Sequence, residues 1–222
     1  MKSVGKAFGG TLNDVAVTIV DAALNRYLQD RGEPPSKPLV AMCPLSLRDA
    51  GDKEATTKVS ALFVPLGKAR TGIGARMDQV MAAIGSAKAE LRGMSKDAAM
   101  LYAILAFGLS EAAGATRADR VTRPLANFVL SNVPGPSEPL YFGSTRIENW
   151  FSTGQILDAC TLNMTVWSYA GKMNLNVVAD SKVVRDGWVL IDYFQECLVE
   201  LLDKIGHETR PASAHQTHET AA

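Results

Sequence analysis

A short stretch in the middle of the chain carries the side chains best suited to chemistry. Residues 127–136 read Asn-Phe-Val-Leu-Ser-Asn-Val-Pro-Gly-Pro, so residues with strand character run into Ser131 and Asn132. Beta-branched and aromatic residues favour a buried strand, whereas two prolines and Gly135 end it in a turn. We predict a buried strand that presents a hydroxyl and a carboxamide at a rigid corner. An ordinary strand end with turn residues is the alternative interpretation.

A second set of short polar side chains lies on a predicted β-hairpin. Residues 161–169 and 172–180 flank the two-residue turn Ala170-Gly171. If that turn sets the register, Thr165 opposes Asn176 on a face opposite the apolar one. That polar face carries Asn163, Thr165, Asn174 and Asn176. A partner domain, a ligand tunnel or solvent would satisfy these uncharged side chains.

The usual partners of a nucleophile or a metal are missing from the predicted folded body. The three histidines, His207, His215 and His218, all follow the last predicted helix, so none is placed to act as a general base. The segment 215–219 lacks the spacing of H-E-x-x-H, and we predict no metal site. Ser131 and Cys160 are possible nucleophiles, but neither has a base in view.

Composition narrows the class of protein. The chain has 222 residues, 47 % of them hydrophobic, which is enough for a sizeable core, and Lys+Arg 23 balances Asp+Glu 23. The absence of a basic surplus argues against a nucleic-acid partner. Three scattered cysteines indicate reduced core residues. Without a signal-peptide pattern or an apolar run of about 18 residues, we expect a cytoplasmic protein, with peripheral membrane contact left open.

Apolar periodicity predicts alternating helices and strands. Thr11 and Asp14 form a capping box before a helix, and Gly32 suits its end. Further helices are predicted from residue 73 to Gly93, from Ser95 to a loosening near Gly108 and Gly114, and from 188 to 206. The second of these has an apolar stripe that includes Leu105, and the third has one that begins at Trp188. Buried strands are predicted at 39–43, 59–66 and 127–130, and a polar loop at 49–57. The fold class is therefore α/β, a layered sandwich with a mixed β-sheet covered by long helices. We predict one domain over 1–206 and a disordered tail over 207–222.

Three stretches together resemble a known family. Residues 11–15 (Thr-Leu-Asn-Asp-Val), the corner at 131–136 and residues 162–169 resemble, in order and spacing, the C-terminal half of the bacterial wax ester synthase/acyl-CoA:diacylglycerol acyltransferase family. Segments 40–48 and 178–180 resemble the stretches between them. The similarity covers roughly residues 5–205.

The resemblance implies one half of a chloramphenicol-acetyltransferase-like fold. Members of this superfamily have two similar halves flanking a tunnel, and they transfer an acyl group from acyl-CoA, here to a fatty alcohol or a diacylglycerol. The histidine that activates the acceptor hydroxyl belongs to an HHxxxDG motif on the N-terminal half, and that motif is absent here. The resemblance thus implies no catalytic residue in this chain and no cofactor, with acyl-CoA as substrate. Whether the chain is itself an enzyme stays open.

The same resemblance assigns roles to six residues. Asn13 and Asp14 match the Asn-Asp motif near the tunnel floor and would support the active site. The predicted substrate-binding residues are Ser131, Asn132, Gly135 and Asn163. The implied partners are a lipid alcohol acceptor and an N-terminal acyltransferase half or a second copy, with contact to a membrane or lipid droplet open.

Two other functions compete with the half-enzyme. A non-catalytic binding or assembly module would keep the fold and bind CoA, lipid or a partner chain. A self-sufficient hydrolase using Ser131 is disfavoured because no base is visible. The half-enzyme hypothesis predicts an exposed apolar patch where the missing half would dock.

Overall fold

A five-stranded mixed sheet organises the molecule. The computed structural model describes residues 1–48, 58–117, 124–157 and 160–208. The strands are β1 (Val40–Ser46), β2 (Val59–Pro65), β3 (Phe128–Pro134), β4 (Tyr141–Phe142), β5 (Thr145–Arg146), β6 (Leu162–Tyr169) and β7 (Lys172–Ala179). The large sheet has the order β2-β1-β3-β6-β7, and β4 pairs only with β5. The central strands β1, β3 and β6 are parallel, and the edge strands β2 and β7 are antiparallel to their neighbours.

Five helices accompany the strands in the described ranges. They are α1 (Lys2–Ala7), α2 (Leu12–Asp30), α3 (Ile73–Arg92), α4 (Lys96–Ala115) and α5 (Gly187–Glu208). The predicted capping box of α2 is confirmed, and Gly32 follows its end with φ of 73°. The short helix α1 was not predicted, because six residues carry too little periodicity to be recognised.

The helices α2, α3 and α5 cover one face of the sheet, apart from a cavity of about 360 Å³ between α2, α5, β6 and β7. We call this side of the sheet the helix-covered face. Its core is continuous and contains large side chains with almost no exposure, including Val20, Met77, Phe128, Met164, Leu190 and Leu201. Alternation along β3 sends Phe128 and Leu130 into this core and Val129 to the other side.

A buried ion pair ties α2 to α3 beneath this face. Asp21 Oδ2 accepts hydrogen bonds from Arg76 Nη1 and from the amide of Gly67, both at 2.7 Å. The side chains of Asp21 and Arg76 are 0 % and 3 % exposed. Burial raises the pKa of Asp21 even though Arg76 opposes that shift. The pair was not predicted from the sequence.

The predicted hairpin register is confirmed. Thr165 pairs with Asn176, and Val166 pairs with Leu175. Ala170 and Gly171 have φ values of 46° and 79°, so both turn residues are left-handed, as a type I′ turn requires. The turn chemistry therefore determines which side chains share a face.

Helix α4 differs from its prediction in three ways. Ser95 caps it as expected, by accepting a hydrogen bond from the amide of Ala98. The helix does not loosen at Gly108 or Gly114 but continues to Ala115. Leu105, which was predicted to pack in the core, is not buried. Only Ala99 and Ala106 of α4 are fully buried. By length and composition α4 could cross a membrane, so the expectation that no segment meets those two criteria is wrong.

The C-terminal helix extends slightly beyond its predicted end. Helix α5 runs through Gly206 to Glu208. Trp188, predicted for its apolar stripe, is 83 % exposed, because the buried stripe begins at Leu190. The rest of the predicted tail, residues 209–222, and the predicted loop over 49–57 lie outside the described residues.

Candidate functional site

The second face of the sheet is covered by irregular chain over β6 and β7 and by helix α4 beside β1 and β2. We call it the open face, and we call residues 148–157 the strap, because this segment crosses β6 and β7 without joining the sheet. A small separate core lies here, formed by Met42, Ala61, Ala126, Val129 and Cys160. Helix α4 packs along the edge strand β2, where Phe63 and Tyr102 meet edge to face at 6.0 Å.

Asparagine side chains hold the strap in place. Asn174 Nδ2 donates to the carbonyl of Trp150 at 2.7 Å, and Asn176 Nδ2 donates to the carbonyl of Ser152 at 3.1 Å. Asn163 Nδ2 donates to the carbonyl of residue 155 at 2.8 Å. Residues two apart on β7 thus bind residues two apart on the strap, so the two segments run side by side in the same direction. We call these three contacts the asparagine ladder.

The asparagine ladder shows which groups accept hydrogen bonds from the polar face of the hairpin. For the three Nδ2 groups, the prediction of a partner domain, a ligand tunnel or solvent is wrong. The chain's own carbonyl groups accept their hydrogen bonds, which is the arrangement that buried amides require.

A groove remains between the strap and α4. Its polar end has a volume of about 280 Å³ and is floored by β1, β3 and β6. Ser131, Asn163 and Thr165 lie on that floor, and the strap residues 152–155 form one wall. Phe107 of α4 lines the other side. This end offers hydroxyl and amide groups at the carboxyl-terminal half of β3.

The groove continues into an apolar end beneath α4. That end has a volume of about 410 Å³ and shares Met42, Pro44 and Phe107 with the polar end. Its further lining is nearly all hydrocarbon, from Val59, Ala61, Ala103 and Ile104. A polar compartment beside an apolar one suits a ligand with a polar head and a hydrocarbon tail.

The predicted pair Ser131 and Asn132 is divided between the two faces. Alternation along β3 places Ser131 in the groove and turns Asn132 toward α2. There Asn132 Nδ2 donates to Asn13 Oδ1 at 3.1 Å, joining β3 to the first turn of α2. In the described part of the chain, Asn13 Nδ2 and Asn132 Oδ1 have no partner. The structure therefore joins Asn13 to Asn132 by a hydrogen bond on one face of β3, whereas Ser131 and Asn163 line the same groove on the other face.

Asp14 has a structural explanation of its own. Its Oδ2 accepts hydrogen bonds from the amide and the hydroxyl of Thr11, at 2.7 and 2.8 Å, and its side chain is buried. The amide of Asp14 in turn hydrogen-bonds to Thr11 Oγ1 at 3.3 Å. The residue fixes the start of α2 and so positions Asn13; a role in catalysis stays a prediction.

Gly135 is required by close packing at the corner. A β-carbon there would overlap the carbonyl oxygen of Ser168 and the ring of Trp167. Its amide donates to Ser168 Oγ at 3.1 Å, which anchors the corner to the end of β6. Gly135 does not line the groove, so substrate binding by this residue is still only a prediction.

Asn163 lines the groove and also holds the strap in place. Its Nδ2 is committed to the strap, and its Oδ1 accepts a hydrogen bond from Thr165 Oγ1 at 3.3 Å. Gly154 lies against it so closely that a β-carbon would come within 2.5 Å of Asn163 Nδ2. A ligand that needs the Asn163 amide would compete with the strap.

Among the described residues that line the two ends of the groove, none has a titratable side chain that could act as a base. Burial raises the pKa of the Cys160 thiol, and also that of Cys43 to about 12 and that of Cys197 to about 11. No cluster of metal-binding side chains occurs over the described ranges. The described groove residues can bind and orient a reactant, but none of them can deprotonate one.

Sequence reasoning missed several groove residues. Thr165 could have been proposed, since the hairpin register places it beside Asn163 on one face. Phe107 and the strap residues carry no such signal, because their contacts join segments far apart in the chain.

Comparison with known proteins agrees with the resemblance. The WS/DGAT C-terminal domain family matches residues 56–202, which is more than half of the chain. A Mycobacterium tuberculosis protein named "Putative diacyglycerol O-acyltransferase" is 38 % identical over 211 residues, covering 91 % of this chain and 44 % of its own length. A second relative of that name and species is 32 % identical over 208 residues, covering 91 % and 41 %. The chain therefore spans less than half the length of these curated relatives.

Solved structures support the fold. The wax ester synthase/diacylglycerol acyltransferase from Marinobacter aquaeolei superposes with a TM-score of 0.81 at 27 % identity, over 93 % of this chain and 46 % of that one. A condensation domain of the enacyloxin polyketide synthase gives a TM-score of 0.55 at 10 % identity, over 96 % and 39 %, and shows a shared fold alone. The predicted α/β class is confirmed. By its matched residues, its relatives and its structure, this chain belongs to the WS/DGAT C-terminal domain family.

Proposed function

We propose that this chain is the C-terminal half of an O-acyltransferase that transfers a fatty acyl group from acyl-CoA to an alcohol or a diacylglycerol. The observation that carries the proposal is the groove, in which a polar end with Ser131 adjoins an apolar end beneath α4. That layout matches a thioester whose carbonyl is polar and whose tail is hydrocarbon. Family membership supports the same class of reaction.

The reaction separates the tasks of binding and proton transfer. The acceptor hydroxyl oxygen forms a bond to the thioester carbon, the carbon–sulfur bond breaks, and the hydroxyl proton leaves through a base. None of the described residues that line the groove can accept that proton. A second half bearing HHxxxDG would supply the base, and this half would supply oriented hydrogen-bond donors.

Two sets of donors can serve such a role. In the first set, the hydroxyl of Ser131 lies on the groove floor and can donate, whereas the hydroxyl of Thr165, opposite it on β6, already donates to Asn163 Oδ1. At the end of β3 on the other face, Asn13 Nδ2 points from the first turn of α2 beside Asn132. The first set suits the thioester carbonyl, and the second suits the amides of the pantetheine arm. The substrate is acyl-CoA, and no cofactor is proposed.

The remaining partners follow from this role. The chain would act in the cytoplasm, at the surface of a membrane or lipid droplet from which the lipid acceptor is drawn. The N-terminal half would meet the open face. Exposed aromatic residues support this docking, since Phe142 at the tip of the β4–β5 hairpin and Phe151 on the strap are 86 % and 57 % exposed.

A complementation assay tests the proposal. Thiol release from palmitoyl-CoA with hexadecanol is followed for this chain, for an N-terminal half carrying HHxxxDG, and for their mixture. We expect release only in the mixture. Release by this chain alone would contradict the account, because it would require a base in this half.

The assay also tests the alternative of a non-catalytic assembly module. The absence of a titratable groove residue favours that alternative equally. Binding between the halves without any thiol release would decide for it.

A further inference from the structure

The cavity on the helix-covered face lies on the opposite side of the sheet from the groove. We call it the helix-side cavity. Its walls include Ala16 and Val20 of α2, Ile191 and Phe194 of α5, and Val166 of β6. Its volume of about 360 Å³ falls within the range of small-molecule sites in proteins, which is about 300–1,000 Å³. The cavity is therefore large enough to hold a ligand.

The lining of the helix-side cavity is almost entirely hydrocarbon. Among the described residues that line it, only Asn174 and Gln195 have polar side chains, and none has a charged one. Asn174 Nδ2 already donates to the carbonyl of Trp150. An ordered water needs about two to four polar partners, which these side chains do not provide. The cavity therefore favours a neutral hydrocarbon group over water or an ion.

The volume indicates how long that hydrocarbon group is. A dry apolar cavity of about 150 Å³ holds one benzene molecule. By the same packing, 360 Å³ accommodates a chain of about twelve carbon atoms. The helix-side cavity thus matches most of one fatty chain.

One end of the cavity lies beside the hydrogen bond between Asn13 and Asn132. Ala16 follows Asn13 by three residues on α2, so the two side chains share one face of the helix. Val166 is the partner of Asn132 in the parallel register of β3 and β6, so these side chains point to the same side of the sheet. The cavity therefore approaches the end of β3 from one face, and the groove approaches it from the other.

The helix-side cavity also reaches the edge of the sheet. Met173 and Leu175 of the edge strand β7 line it. Phe151 of the strap lines it as well, although this side chain is 57 % exposed. A chain longer than the cavity can therefore extend outward past Phe151.

We propose that the helix-side cavity holds the alkyl chain of the acceptor alcohol, with the hydroxyl end toward Asn13 and Asn132. This inference rests on the proposed acyl transfer, which requires two hydrocarbon chains to be held at the same time. The acyl chain occupies the groove on the open face, and the acceptor chain occupies the other face. The hydroxyl and the thioester then meet around the end of β3, and neither chain has to cross the sheet.

Calorimetric titration of the full 222-residue chain with 1-decanol tests the binding site separately from catalysis. The starting protein is the Ala103→Leu variant, because the new side chain fills the apolar end of the groove. We expect this protein to bind one decanol, with the negative heat-capacity change that marks burial of apolar surface. Binding of 1-octanol should be about fifteenfold weaker, since each buried methylene group contributes about fourfold.

Two further substitutions reduce the cavity from different helices. Ala16→Leu fills it from α2, and Ile191→Phe narrows it from α5. Each, added to Ala103→Leu, should weaken decanol binding about tenfold or more. Ala22→Leu is the matched control, because Ala22 adjoins the polar cavity between α2 and α5, and it should leave the affinity unchanged. Circular dichroism checks that every variant is folded.

Kinetics of the complemented enzyme identify the occupant of the cavity. With the groove unaltered, Ala16→Leu should raise the KM for hexadecanol about tenfold and leave the KM for palmitoyl-CoA unchanged. A rise in the KM for palmitoyl-CoA alone would show that the cavity holds the acyl chain, and the proposal would be wrong.

Two calorimetric results would also overturn the proposal. One is decanol binding that Ala103→Leu abolishes by itself, because the alcohol would then occupy the groove. The other is decanol binding that neither Ala16→Leu nor Ile191→Phe weakens. If the two halves show no acyl transfer, the titration still decides whether the helix-side cavity binds the alcohol.

Discussion

The two faces of the sheet are covered in different ways. The helix-covered face is packed by three helices, an ion pair and a continuous apolar core, and a cavity of about 360 Å³ remains between α2, α5, β6 and β7. The open face is held by side-chain amides on main-chain carbonyls and leaves a groove with a polar and an apolar end. Dense packing gives stability, whereas an incompletely covered face leaves room for a ligand. We infer that the helix-covered face mainly supports the fold and that the open face binds the acyl group.

Removing the buried carboxylate should give the largest loss of stability. Asp21→Ala leaves Arg76 buried without its partner, and we expect a loss of about 3–5 kcal/mol in the free energy of unfolding. Urea denaturation measures it. Glu196→Ala is the control, because its exposed contact with Arg26 should contribute less than about 1 kcal/mol. Equal losses in the two variants would show that the ion pair does not seal the helix-covered face.

A β-carbon at Gly154 should disturb the open face without touching the other. Gly154→Ala pushes against Asn163, and we expect a loss of about 1–3 kcal/mol from overpacking. In Gly85→Ala nothing lies within 4 Å of the new methyl group, so this helical control should gain about 0.5–1 kcal/mol. Thermal unfolding of both variants gives the comparison. A neutral Gly154 variant would mean that the strap moves aside freely.

Removing one hydrogen bond of the asparagine ladder should loosen the strap and leave the rest of the fold nearly unchanged. Asn174→Ala removes the hydrogen bond to Trp150, at a cost of about 0.5–1.5 kcal/mol. Limited proteolysis should then cleave faster within residues 148–157, with unchanged protection of α2. The ladder would lose its assigned role if cleavage in the strap kept its wild-type rate.

The smallest expected effect concerns the reactivity of the cysteine thiols, which also tests whether these thiols are buried. Raised pKa values, about 12 for Cys43 and about 11 for Cys197, keep these thiols protonated at pH 8, since a thiol ionises only as the pH approaches its pKa. The folded chain should therefore react slowly with Ellman's reagent, and all three cysteines should react fast in urea. A fast thiol in the folded chain would reopen Cys160 as a nucleophile.

The sequence predicts the structure well where interactions between residues close together in the chain determine it. The turn at Ala170-Gly171 requires two left-handed residues, and from it the whole register of β6 and β7 follows. The spacing of Thr11 and Asp14, which form a capping box, predicts the start of α2. The family resemblance came from motifs that are likewise local.

Prediction fails where distant segments meet. The strap has no periodicity of its own, and its position depends on side chains 24 residues later in the chain. The ion pair between Asp21 and Arg76 joins two helices through a contact that no local pattern encodes. Both sides of helix α4 are apolar, so periodicity alone does not identify the side that packs against the sheet.

The central claim is that the open face binds the hydrocarbon chain of the substrate. The most direct test measures binding of a fluorescent long-chain acyl-CoA to this chain. Ala103→Leu fills the apolar end of the groove, and Ala22→Leu adds the same bulk in the polar cavity between α2 and α5. We predict that Ala103→Leu weakens binding about tenfold or more while Ala22→Leu binds like the wild type. Equal affinities for all three proteins, or a loss confined to Ala22→Leu, would contradict the account.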